Sequence, residues 1–184
     1  MNRIVKLAVA LLLVSTFSWA QNTTNTAKKW RLNEQGKLQL SLNEGATWEM
    51  SEDNVEARLS AFQFLNADNG WAVGQNATIL HWDGEKWSEV LIFSSANLLS
   101  VFLQDDKNGW AAGSGGTILH WDGTSWNAEN SPTTETLVNI KSLSTGALQI
   151  TTLNGTTFER VNAQWHTQNA PVAPTLSASL GNPE

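Results

Sequence analysis

Hydrophobic and polar residues alternate in short runs along this chain, and helical spacing over eleven or more residues is absent between positions 21 and 184. LSAFQFL (59–65), GWAVG (70–74) and TILHWD (78–83) are rich in β-branched and aromatic residues, as strands are. Asn-Gly and Asp-Gly turn signals separate such runs. WDGEKW (82–87) and WDGTSW (121–126) are therefore predicted to be tight hairpins.

The pattern repeats along the chain. TILHWDG at 78–84 recurs letter for letter at 117–123, an offset of 39 residues. The match extends from Asn69 to Trp87 over Asn108 to Trp126. Further upstream, LSAF (59–62) matches LSVF (99–102) at an offset of 40, which predicts a one-residue change in the intervening turn.

Two weaker copies extend the repeat in both directions. One tryptophan register contains Trp48, Trp87, Trp126 and Trp165, and a glycine register contains Gly45, Gly84 and Gly123. The fourth copy reads Glu159, Arg160 and Val161 where the two strong copies read His-Trp-Asp. The first copy begins near Trp30 and is one strand short. Four units are therefore present, two clear and two degenerate.

A period near 40 residues with four short strands per unit is typical of a propeller blade. We expect an all-β fold, a small β-propeller of about four four-stranded blades with a 39-residue repeat and an incomplete first blade. Four units close only as a tight ring, with a strand from elsewhere in the chain completing the first blade. The alternative is an open half-ring that forms a homodimer and so buries its edge strands.

The strong units also resemble a known family. GWAVGQNATILHWDGEKW (70–87) is similar to the blades of BNR-type and Ycf48-like β-propellers, the latter being photosystem II assembly factors. SLNEGATW (41–48) resembles the Asp-box of sialidase-type propellers, with Asn43 in the Asp position; that box is a structural turn. The resemblance covers most of 30–166 and implies the fold, which hosts many functions.

The N-terminus has the features of an export signal. Arg3 and Lys6 precede the apolar run LAVALLLV (7–14), and SWA (18–20) resembles a cleavage site. We expect a signal peptide over 1–20, cleaved near Ala20, and a periplasmic or secreted protein. No later segment approaches the roughly 18 apolar residues of a membrane span. Residues 21–27 and the Pro/Ala-rich tail 168–184 are predicted to be disordered, leaving 28–167 as the repeat domain.

Charge and composition narrow the function classes. The chain has a net charge of −6, and removing Arg3 and Lys6 lowers it to −8, which disfavours nucleic acid as a partner. The absence of cysteine excludes disulfides, thiolate metal sites and thiol nucleophiles. The absence of tyrosine excludes sialidase chemistry, whose nucleophile is a tyrosine.

The repeated His-Trp-Asp triplet is the candidate for chemistry. A metal needs three or four converging ligands, and the other two units offer Leu42 and Glu159 at the histidine position. We therefore expect no metal, cofactor or catalytic residue. The triplet is either framework of the strand and hairpin or a shallow sugar site in which tryptophan stacks and His and Asp bind hydroxyls. The six candidate ligand-binding residues are His81, Trp82, Asp83, His120, Trp121 and Asp122.

The features that recur more widely are assigned to the framework. Large rings early in the last strand fill the space between blades. The predicted structural residues are Trp48, Trp87, Trp126, Trp165, Gly84 and Gly123. We expect an exported, non-catalytic β-propeller that binds a protein partner as a scaffold in the cell envelope. The alternative is a carbohydrate-binding module for a surface glycan.

Overall fold

The computed structural model describes residues 28–53 and 56–169. Its fifteen strands form four antiparallel sheets. The first sheet contains β1 (Lys29–Leu32), β2 (Leu38–Ser41) and β3 (Glu49–Met50). The second contains β4 (Leu59–Asn66), β5 (Asn69–Gly74), β6 (Ile79–Trp82) and β7 (Trp87–Glu89). The third contains β8 (Leu98–Leu103), β9 (Gly109–Gly113), β10 (Ile118–Trp121) and β11 (Trp126–Glu129), and the fourth contains β12 (Leu137–Ser142), β13 (Leu148–Thr152), β14 (Thr157–Val161) and β15 (Gln164–Asn169).

Each sheet is one blade of a β-propeller, with its strands side by side in chain order. The predicted all-β fold and the four blades are confirmed. Within residues 28–53 and 56–169, three blades are four-stranded and the first has three strands, so the expected incompleteness of the first blade is confirmed for this part of the chain. Short 3-10 turns at Gln75–Ala77 and Ser114–Gly116 join the second and third strands of the two central blades.

The blades pack in sequence around the innermost strands β4, β8 and β12. β4 contacts β8 and β8 contacts β12, while β1 contacts β4. Within residues 28–53 and 56–169, no strand of the fourth blade packs against the first blade as closely as β1 packs against β4. The described strands therefore form an arc of four blades. In this part of the chain, no helix has the length and apolar character needed to cross a membrane.

The core lies between the blades, because the pleat sends alternate side chains to opposite faces of each sheet. The closing tryptophan of each complete blade faces the preceding blade. Trp87 packs edge-on against Trp30 with ring centroids 5.7 Å apart, and Trp126 packs likewise against Trp71 at 5.3 Å. Trp165 packs against the cluster around Trp110. Their counterpart in the first blade is Trp48, which lies under the guanidinium of Arg31 at 4.3 Å.

The strand pairing corrects one feature of the repeat. Leu59 lies opposite Gly74, Leu98 opposite Gly113, and Leu137 opposite Thr152, so the inner strands follow the same offset of 39 as the rest. The predicted one-residue change of length is wrong. A register shift follows these leucines at the same place in each blade, so the match of LSAF to LSVF at an offset of 40 is one of letters and not of structural positions.

Candidate functional site

The two histidines of the repeated triplet lie on the blade faces that point to the following blade. The His81 ring packs on Trp71 with centroids 4.4 Å apart, and its Nε2 lies 3.2 Å from the Asn69 side-chain oxygen. The His120 ring stacks on Trp110 at 4.7 Å, and its Nε2 is buried without a partner among the described residues. Burial lowers the pKa of His81, and the nearby Asp83 carboxylate opposes this in part.

The two tryptophans of the triplet tie the outer strands to the inner turns. Trp82 is 2% exposed and donates its indole N–H to the Ala67 carbonyl at 2.9 Å. Trp121 is half-buried and donates to the Asp106 carbonyl at 3.0 Å. The Trp82 ring is covered by Trp30, whose centroid is 5.1 Å away. Trp82 therefore offers no open ring face on which a sugar could stack.

The two aspartates close the hairpins that follow. Asp83 accepts hydrogen bonds from the backbone N–H groups of Glu85 and Lys86 at 3.0 and 2.9 Å. Asp122 accepts the equivalent pair, and in each case these backbone hydrogen bonds lower the pKa of the carboxyl group. Gly84 and Gly123 take φ values of 97° and 91°, which side chains with a Cβ disfavour.

All six triplet residues thus have structural contacts, and ligand binding by them stays a prediction. Within the described ranges, no group of three or more His, Asp or Glu side chains could hold a metal ion. In the fourth blade, Arg160 occupies the tryptophan position and forms a 2.8 Å ion pair with Glu129. The same carboxylate accepts the Trp165 indole N–H at 3.0 Å, so the third and fourth blades share a polar link.

A concave surface lies where the first blade is incomplete. By the 39-residue offset, β1 corresponds to β5, so the first blade has no counterpart of β4 among the described strands. Among the described strands, β1 is accordingly an edge strand that pairs with β2 alone. None of these strands covers the face of β4 that would pack against such an inner strand.

This uncovered face is the wall of a groove of about 740 Å³. We call it the aromatic groove; its lining residues are Lys28, Lys29, Trp30, Trp48, Phe62, Phe64, Asn66, Ala67, Asp68 and Gly84. Phe62 and Phe64 come from β4 with ring centroids 5.9 Å apart, and Phe64 stacks on Trp30 at 6.2 Å. The three rings are half-buried.

Lysines and one acid border the groove. The Lys28 ammonium lies over the Trp82 ring at 4.9 Å, and Lys29 forms a 2.8 Å ion pair with Glu44. Asp68 is exposed in the turn between β4 and β5. The surface thus combines an apolar wall, an unpaired strand edge and a mixed charged rim. That combination suits an extended polypeptide, whose backbone can pair with the edge while its side chains reach the wall.

None of these groove residues was among the predicted ligand-binding residues, and Trp48 and Gly84 were predicted only as framework. The signal was present in two parts, namely the aromatic pair of LSAFQFL (59–65) and the missing strand of the first unit. Neither part marks a site alone, because an apolar residue on an inner strand is normally covered by the preceding blade.

Comparisons with known proteins agree with the architecture. Neither a protein-family model nor a curated protein matches this chain. Among solved structures, YCF48 bound to a D1 peptide is 26% identical, with a TM-score of 0.52 over 60% of this chain and 40% of that chain. YCF48 from Cyanidioschyzon merolae is 20% identical, with a TM-score of 0.61 over 79% of this chain and 54% of that one.

Enzymes share the fold as well. An ancestral GH74 enzyme is 13% identical, with a TM-score of 0.65 over 80% of this chain and 23% of its own. The present chain thus spans about half or less of the propellers it matches. Four sequential blades, the repeated Gly-Trp and His-Trp-Asp strands and these similarities together are consistent with a β-propeller of the BNR/Ycf48-like type.

Proposed function

We propose that this chain is an exported, non-catalytic scaffold that binds another protein, and that its aromatic groove takes an extended segment of that partner. The observation that carries the proposal is the uncovered wall formed by Trp30, Phe62 and Phe64 beside the free edge of β1. A peptide added to a sheet edge gains backbone hydrogen bonds, and pockets for alternate side chains give specificity.

The outer face of the fourth blade is polar where the aromatic groove is apolar, and this difference supports the groove as a binding surface. In the third blade, Trp110 and Ile118 point to the fourth blade and are buried. Their counterparts one repeat later, Gln149 and Thr157, are polar. Repeat arrays replace apolar residues in this way on faces that meet water. The aromatic groove has aromatic side chains at such positions, which is typical of a surface that a partner covers.

The YCF48 structure with a D1 peptide supports a peptide as the partner, since that propeller is 26% identical over the matched part. The leader-like stretch with Arg3, Lys6 and LAVALLLV (7–14) supports a place in the cell envelope. The structural contacts of His81, Asp83 and their repeats support a non-catalytic role, which an assay for turnover of aryl glycosides tests directly.

Selection from a phage-displayed library of random peptides on the immobilised full chain tests the proposal. We expect enrichment of peptides with apolar residues at alternate positions, and binding is then measured by tryptophan fluorescence. Phe62→Ser should lower the affinity for the selected peptides about tenfold or more, which is the loss expected when one good apolar anchor is removed. Phe93→Ser is the matched control, because Phe93 is fully exposed on the loop after β7.

Ala67→Arg provides a second variant in case Phe62→Ser lowers stability. Ala67 is exposed at the mouth of the groove, so the larger side chain obstructs entry without removing a packed group. Equal binding to the wild type and to both groove variants would show that the peptides bind elsewhere. A library that yields no binder would also count against the proposal.

The carbohydrate-binding alternative uses a separate measurement. Tryptophan fluorescence is titrated with a panel of glycans on the same protein. An absence of any shift at high millimolar sugar would reject the alternative, whereas a shift lost in Trp121→Ala would support it, since Trp121 is the more exposed of the two triplet rings.

A further inference from the structure

The edge strand β1 belongs to the most basic stretch of an acidic protein. Lys28, Lys29 and Arg31 are three of the chain's eleven basic residues, whereas from Arg58 onward the basic residues are at least 19 positions apart. The formal net charge of the chain is −6. Lys29 and Arg31 are exposed, and the pleat places their side chains on the face of β1 opposite to that of Trp30. Positive charge is therefore concentrated beside the aromatic groove.

Ring contacts show which residue of β1 corresponds to which residue of β5. The closing tryptophan of the second blade packs on Trp30 with ring centroids 5.7 Å apart, and that of the third blade packs on Trp71 at 5.3 Å. Trp82 and Trp121 lie against the same two rings at 5.1 and 4.7 Å. Trp30 therefore takes the place of Trp71, although the two are 41 residues apart, two more than the repeat.

The neighbours of Trp30, namely Lys29 and Arg31, occupy positions that are small or apolar in the complete blades. The corresponding residues there are all buried: Gly70, Ala72, Gly109, Ala111, Leu148 and Ile150. Their face of the sheet is directed to the preceding blade. No described blade precedes the first, so the two basic side chains lie on an open face next to the free edge of β1.

Strand pairing in the second blade gives the register of a segment that binds along β1. Gln63 of the inner strand lies opposite Trp71, and the two residues that flank Gln63 lie opposite Ala72 and Gly70. A segment bound to β1 in this register has its central residue opposite Trp30, with the side chain directed at the aromatic groove. The residues on either side of that central residue lie opposite the two basic residues of β1, which take the places of Ala72 and Gly70.

We propose that the partner segment that pairs with β1 carries acidic residues at the two positions opposite Arg31 and Lys29. The partner is then an acidic, extended peptide, a conclusion that rests on the proposed function. Cross-strand pairs of opposite charge stabilise antiparallel strands. The Arg31 guanidinium lies over Trp48 and bonds the Gln39 side chain, and no described carboxylate is within ion-pair distance of it. Lys29 pairs with Glu44 at an exposed site, where a carboxylate of the partner can take its place.

Three synthetic peptides with capped ends test the charge preference. Each has a five-residue core with leucine at positions 1, 3 and 5, which face the groove, and with two glutamates, two glutamines or two lysines at positions 2 and 4. Tryptophan fluorescence of the full chain measures the affinities. The glutamate peptide should bind best, with about two- to fivefold for each charge pair, and its advantage should shrink as salt is added.

Charge variants locate the preference on β1. Lys29→Gln with Arg31→Gln should remove the advantage of the glutamate peptide. The matched control is Lys107→Gln with Lys141→Gln, which removes two exposed charges from the third and fourth blades and should leave the advantage in place. Because Arg31 lies opposite position 2, Arg31→Glu should favour a peptide with lysine at position 2 and glutamate at position 4 over the reverse order.

The outcomes separate the acidic partner from the groove itself. Equal affinities of the three peptides would overturn the charge preference, leave the groove as a peptide site, and show that the basic residues only protect the edge from pairing. A preference that survives Lys29→Gln with Arg31→Gln would overturn it as well. Glutamate-peptide binding that requires Lys29 and Arg31 but is unchanged in Phe62→Ser would support the acidic partner and reject the groove. Failure of all three peptides to bind would overturn both.

Discussion

The interface between the second and third blades and the junction between the first and second use the same repeated positions but differ in how they are covered. Val101 and Leu103 on β8 are 8% and 3% exposed, because β4 lies against them and the Gln63 side chain bonds the Leu103 backbone at 2.9 and 3.1 Å. Phe62 and Phe64 are their counterparts on β4 and are only half-buried, although their side chains are larger.

The difference teaches that burial on an inner strand is set by the neighbouring blade. The pleat directs both pairs to the face of the preceding blade, and this direction is local. The second blade supplies a strand to cover β8, whereas the described part of the first blade supplies none to cover β4. As a result, Phe62 and Phe64 line a groove, whereas their counterparts on β8 lie in a covered interface.

The largest expected effect separates the two regions by stability. Leu103→Ala should lower the free energy of unfolding by about 2–4 kcal/mol, the usual cost of a cavity in a packed core. Phe64→Ala should cost about 1–2 kcal/mol, since a half-exposed ring loses a smaller part of its burial. Urea denaturation followed by tryptophan fluorescence measures both.

The same pair of variants also tests whether the groove is open in solution. If Phe64→Ala costs as much as Leu103→Ala, the groove is filled in solution. An equal cost would therefore contradict the contrast between the covered strand β8 and the uncovered strand β4.

A second effect comes from His81 in the covered interface. Burial lowers the pKa of His81 in the folded protein. At a pH near the ordinary histidine pKa of 6.5, the unfolded chain therefore binds a proton more readily than the folded protein does. The free energy of unfolding should therefore fall as the pH drops through about 6.5 and level off below the folded pKa. His81→Gln should flatten this dependence in urea titrations between about pH 5 and 8.

His166→Gln is the control for that measurement, because His166 is exposed on β15. It should leave the slope of stability against pH in place. A slope that survives His81→Gln unchanged would show that another group produces it and that His81 is not held neutral by the interface.

A smaller effect is expected in the exposed hairpins. The pKa values of Asp83 and Asp122 are lowered by backbone hydrogen bonds, so their stabilising contribution is present above the ordinary carboxyl value of 3.8 and lost as the pH falls through the lowered values. The double variant Asp83→Asn, Asp122→Asn keeps an acceptor oxygen but does not titrate. Its melting temperature should fall less than that of the wild type on acidification.

Glu85→Gln is the matched control in the same hairpin, since Glu85 is exposed and contributes only its backbone N–H to Asp83. Its acid dependence should equal that of the wild type. Parallel acid melting of the wild type and the double variant would contradict the role assigned to the turns.

The smallest effect is expected on the outer face of the fourth blade. Gln149→Ala should change the free energy of unfolding by no more than about 0.5 kcal/mol, as surface substitutions do. Ile118→Val, in the covered register of the third blade, should cost about 0.5–1.5 kcal/mol, because Ile118 is 1% exposed. Denaturation at two protein concentrations measures both and shows whether a homodimer covers this face, since the midpoint would then shift with concentration.

Much of the architecture was predictable because it is local. The 39-residue period, the alternation in TILHWD (78–83) and the Asp-Gly hairpins follow from strand pleat and turn stereochemistry, which a few neighbouring residues determine. Trp87 and Trp126 each pack against a tryptophan of the preceding blade, Trp30 and Trp71 respectively. The incomplete first blade was also predictable, because the first unit contains fewer strand-like runs than the others.

The rest depended on which blade lies beside which. The sequence by itself marked Trp82 as a candidate platform, and only the tertiary structure covered it with Trp30 and bonded its N–H to the Ala67 turn. The apparent offset of 40 looked equally real until strand pairing placed Leu59 and Leu98 at equivalent positions, 39 residues apart. Phe62 and Phe64 looked like ordinary core, and the missing neighbour strand exposed them. Local stereochemistry determines where a side chain points, whereas burial and access depend on residues far away in the chain.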